Sequence, residues 1–288
     1  MNGIDLTIIW AGIIAFAVVV YVIMDGFDLG IGILFPNFKV GPDRDTAMNS
    51  IAPVWDGNET WLVLGGGGLL AAFPLAYAII LPALYAPLIA MLLGLVLRGV
   101  AFEFRWRDPA HRARWDFAFA AGSVIATFAQ GITLGALLQG ITVEGRAYAG
   151  GWWEWLTPFS LLTGFALLAG YALLGCCWLI WKTEGPLQRQ CYSYAGRLGI
   201  LLLIAIAVVS AATPFLEEEY YSRWLAYPGV IATAQIPLAT LVISVLFFRS
   251  LSKRQEAAPF FYALGLFGLC LVGLAVSMWP DVIPGRIT

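Results

Sequence analysis

Residues 54–74 read VWDGNETWLVLGGGGLLAAFP. From Leu62 onward the stretch is almost wholly apolar, with four consecutive glycines at 65–68 and a proline at 74. Before that run, Trp55 and Trp61 bracket two acids, Asp56 and Glu59. An apolar segment of this length belongs in a core or a bilayer, and neither tolerates an unpaired carboxylate cheaply. The rest of the chain decides between the two.

The 288 residues are 60% hydrophobic and 12% charged, with a mean hydropathy of +0.82. Soluble domains carry about 25% charged residues, so this composition reads as an all-α integral membrane protein. A span needs roughly 20 apolar residues. On that ruler eight helices are predicted, at about 6–34, 50–73, 76–101, 115–138, 157–181, 196–215, 228–248 and 259–279. Phe73-Pro74 and Met278-Trp279-Pro280 are natural stops, because proline disfavours helix in the residue before it. The spans divide into two four-helix bundles, 1–138 with the acids and 139–288 without them. The opening MNGIDLTIIWAGIIAF has no basic region and no small-residue cleavage signal, and is read as a retained first span.

Basic residues give the orientation. Lys39, Arg44, Arg105, Arg107, Arg112, Arg114, Lys182, Arg189, Arg197, Arg249, Lys253 and Arg254 fall in loops 1–2, 3–4, 5–6 and 7–8 or at their edges. The opposite loops hold Arg146, Arg223 and Arg286, and Arg98 lies within a span. Cytoplasmic loops are enriched in Lys and Arg, so the twelve-residue side is expected inside and the N-terminus outside. The acidic LEEEYYSRW (216–224) and the aromatic GGWWEW (151–156) then face outward, where Trp and Tyr anchor at headgroup level.

Six charged residues break the apolar pattern: Asp25 and Asp28 in VIMDGFDLGIG, Asp56 and Glu59, Arg98 in LVLRGVAFEFR, and Glu103 beyond it. A spacing of three places each acid pair on about one helix face. The orientation gathers all six toward the cytoplasmic ends of the first three spans. An ionised group near mid-bilayer costs roughly 2.5–3.5 kcal/mol on insertion scales, so these groups must pair, take up protons or stay hydrated. Arg98 can neutralise one carboxylate. The surplus acid suits a proton path, with Trp55 and Trp61 packed around it. Taken singly, each acid has a plainer reading: Asp25-Gly26 as a helix break, Asp56 and Glu59 as first-turn acids facing a helix dipole.

The near-neutral net charge of −2 argues against a nucleic-acid partner. The four cysteines, Cys176, Cys177, Cys191 and Cys270, lack metal-site spacing and read as buried apolar residues. The single histidine, His111, sits in the loop DPAHRARW and reads as a surface residue, so no haem ligand pair and no metal site is expected within this chain. An ion-coupled transporter is a competing reading. It would show an inverted repeat with broken helices meeting at mid-membrane, and no repeat is evident.

The stretches MDGFDLGIGIL (24–34), NSIAPVWDGNETWLVLGGGGLLAAFPLAYA (49–78) and LRGVAFEFR (97–105) resemble subunit II of the cytochrome bd-type quinol oxidases, with the GGGG and FEFR details most like the cyanide-insensitive branch. The resemblance implies a bacterial cytoplasmic-membrane complex that oxidises quinol and reduces dioxygen to water. It implies that haems b and d and the quinol site belong to the partner subunit I, with this chain as its non-haem partner. The family's proton-route residues would be Asp25, Asp56 and Arg98; Glu59 joins them in the relay, while Asp28 and Glu103 would shape its entrance. A structural quinone or lipid and a small single-helix accessory subunit are left open. The resemblance also implies a ninth helix; the sequence ends at WPDVIPGRIT after the eighth span, so that helix is either cut off or a separate or dispensable element. A purely structural partner, its polar groups paired only among themselves, is the remaining alternative.

Overall fold

Backbone groups in lipid have only each other for hydrogen bonds, so apolar segments must become helices. The computed structural model describes residues 6–283 and is built that way. Helix α1 (Leu6–Leu34) leads through a short 3-10 turn into α2 (Pro42–Ile51), α3 (Trp55–Ala72), α4 (Pro74–Ala83), α5 (Tyr85–Arg107) and α6 (Arg112–Leu138). A two-stranded hairpin, β1 (Val143–Glu144) and β2 (Ala147–Tyr148), pairs antiparallel and precedes α7 (Pro158–Lys182). Then follow α8 (Gly185–Ala212), the short α9 (Glu218–Trp224) and α10 (Gly229–Thr233), α11 (Gln235–Ser252) and α12 (Ala258–Met278).

Among the described residues, seven helices are long and apolar enough to cross a membrane, one fewer than the eight expected. The exception is the opening stretch. Helix α3 has 18 residues but spends Asp56, Asn58 and Glu59 near its start and four positions on glycine. Its predicted start at residue 50 is also corrected. Pro53 has no N–H to continue the ladder, so α2 ends at Ile51 and α3 begins anew at Trp55. The predicted helix 76–101 is broken in the same way, at Leu84 (φ −111°, ψ 20°). Pro87 cannot bond the Ala83 carbonyl four residues back and its ring crowds it, so α4 ends there and α5 carries the span to Arg107. The stops at Pro74 and after Met278 hold. Helix α8 starts eleven residues before its predicted 196.

Helices α1, α5, α6 and α7 pack at backbone distance. A Cβ built on Gly30 of α1 would lie 1.8 Å from the Tyr171 carbonyl oxygen of α7, and one on Gly175 would lie 2.5 Å from the Gly30 carbonyl carbon. Gly94 of α5 and Gly122 of α6 meet in the same manner, each Cβ falling within 2.8 Å of the other helix's backbone. Lipid offers no hydrophobic drive between helices, so this close van der Waals approach is what joins them. Helix α3 rests on α1 through Gly65 and Gly68, against Val18 and Ile14, while Gly66 and Gly67 meet nothing. One hydrophobic core runs from Phe27 through Phe119, Leu173 and Cys176 to Phe267, without a break at the 138/139 join. Three cysteines are buried in or beside it as expected; Cys270 is not, because it points outward from α12.

Candidate functional site

The C-terminal half of α1 is buried continuously from Asp25 to Gly32. Asp28 Oδ1 accepts from Arg98 Nη2 of α5, and both side chains are fully buried (0% exposed). Arg98 Nη1 reaches back to Glu59 Oε1 of α3 at 3.3 Å, and Glu59 is 29% exposed. Asn58 completes the group: its Nδ2 donates to the Met24 carbonyl (3.1 Å) and contacts Asp28 Oδ2 at 3.5 Å. The guanidinium lies over the Phe119 and Trp55 rings, 5.6 and 6.0 Å from their centroids. Trp55 in turn stacks on Phe102. Trp61 packs edge-on to Phe16, a turn and a half further along α3.

Asp25 differs from its neighbour. It is fully buried, and neither carboxyl oxygen has a hydrogen-bond partner among the described residues. Three carboxyls, Asp25, Asp28 and Glu59, thus share the field of one arginine. Asp56 and Glu103 stand apart from this group. Asp56 is exposed on the side of α3 away from α1, and Glu103 is 54% exposed and pairs with Arg107 at 3.7 Å. Of the six charged residues, four are gathered into one buried assembly and two lie on the outer surface.

A second ionic cluster went unread in the sequence. Arg105 (1% exposed) donates from Nε to Asp116 Oδ1 at 2.5 Å and contacts Asp45 Oδ1 at 2.9 Å. Arg44 reaches the other Asp116 oxygen at 2.8 Å and also donates to the Phe38 and Pro36 carbonyls. Arg112 closes the ring on Asp45. Asp116 is a lone acid inside an apolar helix, and the cost that singled out Asp25 would have found it too. The cluster ties the 35–45 connection to α5 and α6. Asp116→Asn leaves the buried Arg105 short of charge, so backbone hydrogen exchange across residues 36–45 is expected to accelerate. Unchanged exchange there would show that the connection does not depend on these bonds.

His111 is 50% exposed in its loop and paired with Asp108 at 3.0 Å. Among the described residues, no three His, Cys, Asp or Glu side chains are placed to hold a metal ion.

Fold and site together define a multi-pass α-helical membrane protein whose first spans enclose an arginine–carboxylate assembly. A family model described as cytochrome bd terminal oxidase subunit II matches residues 6–288. The cytochrome bd-I ubiquinol oxidase subunit 2 of Escherichia coli K12 is 31% identical, across 97% of this chain and 82% of its own length. The cytochrome bd ubiquinol oxidase subunit 2 of Bacillus subtilis is 28% identical, across 96% and 81%. The solved bd oxidase of Geobacillus thermodenitrificans superposes with a TM-score of 0.77 over 99% of this chain and 88% of that chain; at 16% identity this speaks to fold alone. The chain belongs to the cytochrome bd terminal oxidase subunit II family and is therefore one subunit of an oxidoreductase complex, with a subunit I as its partner.

Proposed function

We propose that this chain is the non-haem subunit of a membrane quinol:dioxygen oxidoreductase. It scaffolds the haem-bearing subunit I, which handles quinol and dioxygen, and it supplies that subunit with protons from the cytoplasm. The orientation rests on the basic loops: Lys39, Arg44 and the arginines at 105–114 put the ends of α1, α3 and α5 nearest the site on the inner side. The observation that carries the reading is Asp25, a fully buried carboxyl without a fixed partner, beside the Arg98–Asp28–Glu59 assembly. A carboxyl locked in bidentate pairing holds its charge; one left unpaired can take up and release a proton. Glu59, partly exposed, is the entrance from water, and Arg98 sets the field in which the acids exchange. Asp28 is the fixed counter-charge of Arg98. Asp56, facing away from α1, is the exit toward the partner, and Glu103 contributes to the charged rim.

Asp25→Asn keeps the shape of the side chain and removes its titration. In the assembled oxidase with full haem content, quinol-supported oxygen uptake is expected to fall by about 10²-fold, the low end of what a positioned proton-transfer group supplies. Parental turnover in that complex would refute the relay. The purely structural reading has its own support, because Arg98, Asp28 and Asn58 are bonded to one another within the helix packing. Loss of haem and subunit I together in Asp25→Asn would favour it.

A further inference from the structure

In the sequence, Asp25-Gly26 could be a helix break, yet α1 runs through it unbroken to Leu34. Gly26 has another use. A Cβ there would lie 3.0 Å from the Tyr171 ring, so the missing side chain is what lets Tyr171 of α7 lie against α1 beside Asp25. Tyr171 is fully buried, and its hydroxyl donates to Gln130 Oε1 of α6 at 3.1 Å. Gln130 Nε2 then donates to the Tyr21 hydroxyl oxygen of α1 at 2.7 Å. Tyr21 precedes Asp25 by one helical turn, the spacing that stacks two side chains on one face, and its hydroxyl is in electrostatic contact with the carboxyl.

The direction of these bonds matters. Each hydroxyl has one hydrogen to give, and an amide gives from nitrogen and accepts at oxygen. With the Tyr171 hydrogen on Gln130 Oε1 and the Gln130 hydrogen on Tyr21, the Tyr21 hydrogen is the one left over. Asp25, with both oxygens unpartnered, is the acceptor it meets. The flipped amide would strand the Tyr171 hydrogen and draw the Tyr21 hydrogen away, so donor counting favours the observed sense. Rotation of the Asp25 carboxyl about its soft terminal torsion closes the contact. The thread of three side chains belongs to three helices, and nothing else in the site uses it.

We propose that Tyr21 is a positioning residue for the proton step at Asp25, its hydroxyl aimed by Gln130 and Tyr171 to receive the carboxylate each time the proton leaves. The Asp25 O–H bond breaks, the proton passes onward along the path, and a Tyr21 O–H···O hydrogen bond takes its place. No bond within Tyr21 breaks. This rests on the relay assigned to Asp25 above.

The test uses the assembled oxidase carrying Tyr21→Phe, Asp25→Asn or both, read by quinol-supported oxygen uptake and by infrared difference spectra of the carboxyl region. Tyr21→Phe is expected to slow turnover about tenfold, as loss of one hydrogen bond to a charged group would. In the Asp25→Asn background it should cause no further slowing, because residues acting through one group are not additive. The carboxyl band that disappears in Asp25→Asn should shift in Tyr21→Phe. Gln130→Leu, which leaves Tyr21 in place but unaimed, should shift the same band and serves alone should Tyr21→Phe fail to assemble. A band unmoved by these variants, or additive slowing in the double variant, overturns the proposal while the relay stands. Full turnover in Asp25→Asn sinks the relay itself, and the proposal with it.

Discussion

An Arg98→Met complex is expected to be recovered from membranes in much reduced yield and to unfold well below the parent. Arg98 and Asp28 are both completely buried and paired to each other. Removing one member of such a pair strands the other, at a cost of about 3–5 kcal/mol. That is at least about a fifth of the stability of an ordinary domain. Glu59 loses its cationic partner as well, and Trp55 and Phe119 lose the guanidinium between them. Adding Asp28→Asn to Arg98→Met should restore much of the yield, since Asp28 is then no longer a fully buried charge stripped of its partner. The measurement is assembled complex per membrane protein, with the thermal midpoint of what is purified. Parental yield and midpoint in the single variant would mean that water reaches Asp28 more freely than its burial indicates.

Gly30→Ala should be nearly as damaging, for a steric reason. Its Cβ would stand 1.8 Å from the Tyr171 carbonyl oxygen, inside any contact real atoms make, and the obstacle is backbone. The α1–α7 crossing would have to open. Overpacking typically costs 1–3 kcal/mol and occasionally more; with no flexible side chain to yield, about 3 kcal/mol or above is expected here. Gly196→Ala on α8 is the control, because nothing lies within 4 Å of that position. Its stability should match the parent's or exceed it by up to about 1 kcal/mol, the helix preference of alanine over glycine. Equal midpoints for the two alanine variants would show that the crossing has slack.

Hydropathy located most of the spans but not their interruptions. A window average treats Pro53, Pro82 and Pro87 as mild residues, whereas their effect is on the backbone ladder, and so the breaks after Ile51 and Ala83 passed unread. The buried assembly was legible because charge in an apolar run is conspicuous: Asp25, Asp28, Glu59 and Arg98 were all found on that ground. Their grouping with Asp56 was less so. Three residues along a helix turn by about 300°, a net offset of about 60°, so Glu59 reaches Arg98 while Asp56 falls at the exposed edge of that broad face. Asn58, Tyr21, Gln130 and Tyr171 carry no formal charge, so a search for charge in apolar runs passes them over, and only three-dimensional packing joins them.

The order of the buried partners along the chain has a consequence for biosynthesis. Arg98 follows Asp28 by 70 residues and Glu59 by 39. At bacterial translation rates of about 5–20 residues per second, the first carboxylate leaves the ribosome roughly 4–14 s before its counter-ion is made. Through that interval Asp28 has no Arg98 guanidinium to pair with. The ion pairs that join α1 and α3 to α5 can therefore form only once Arg98 has been made.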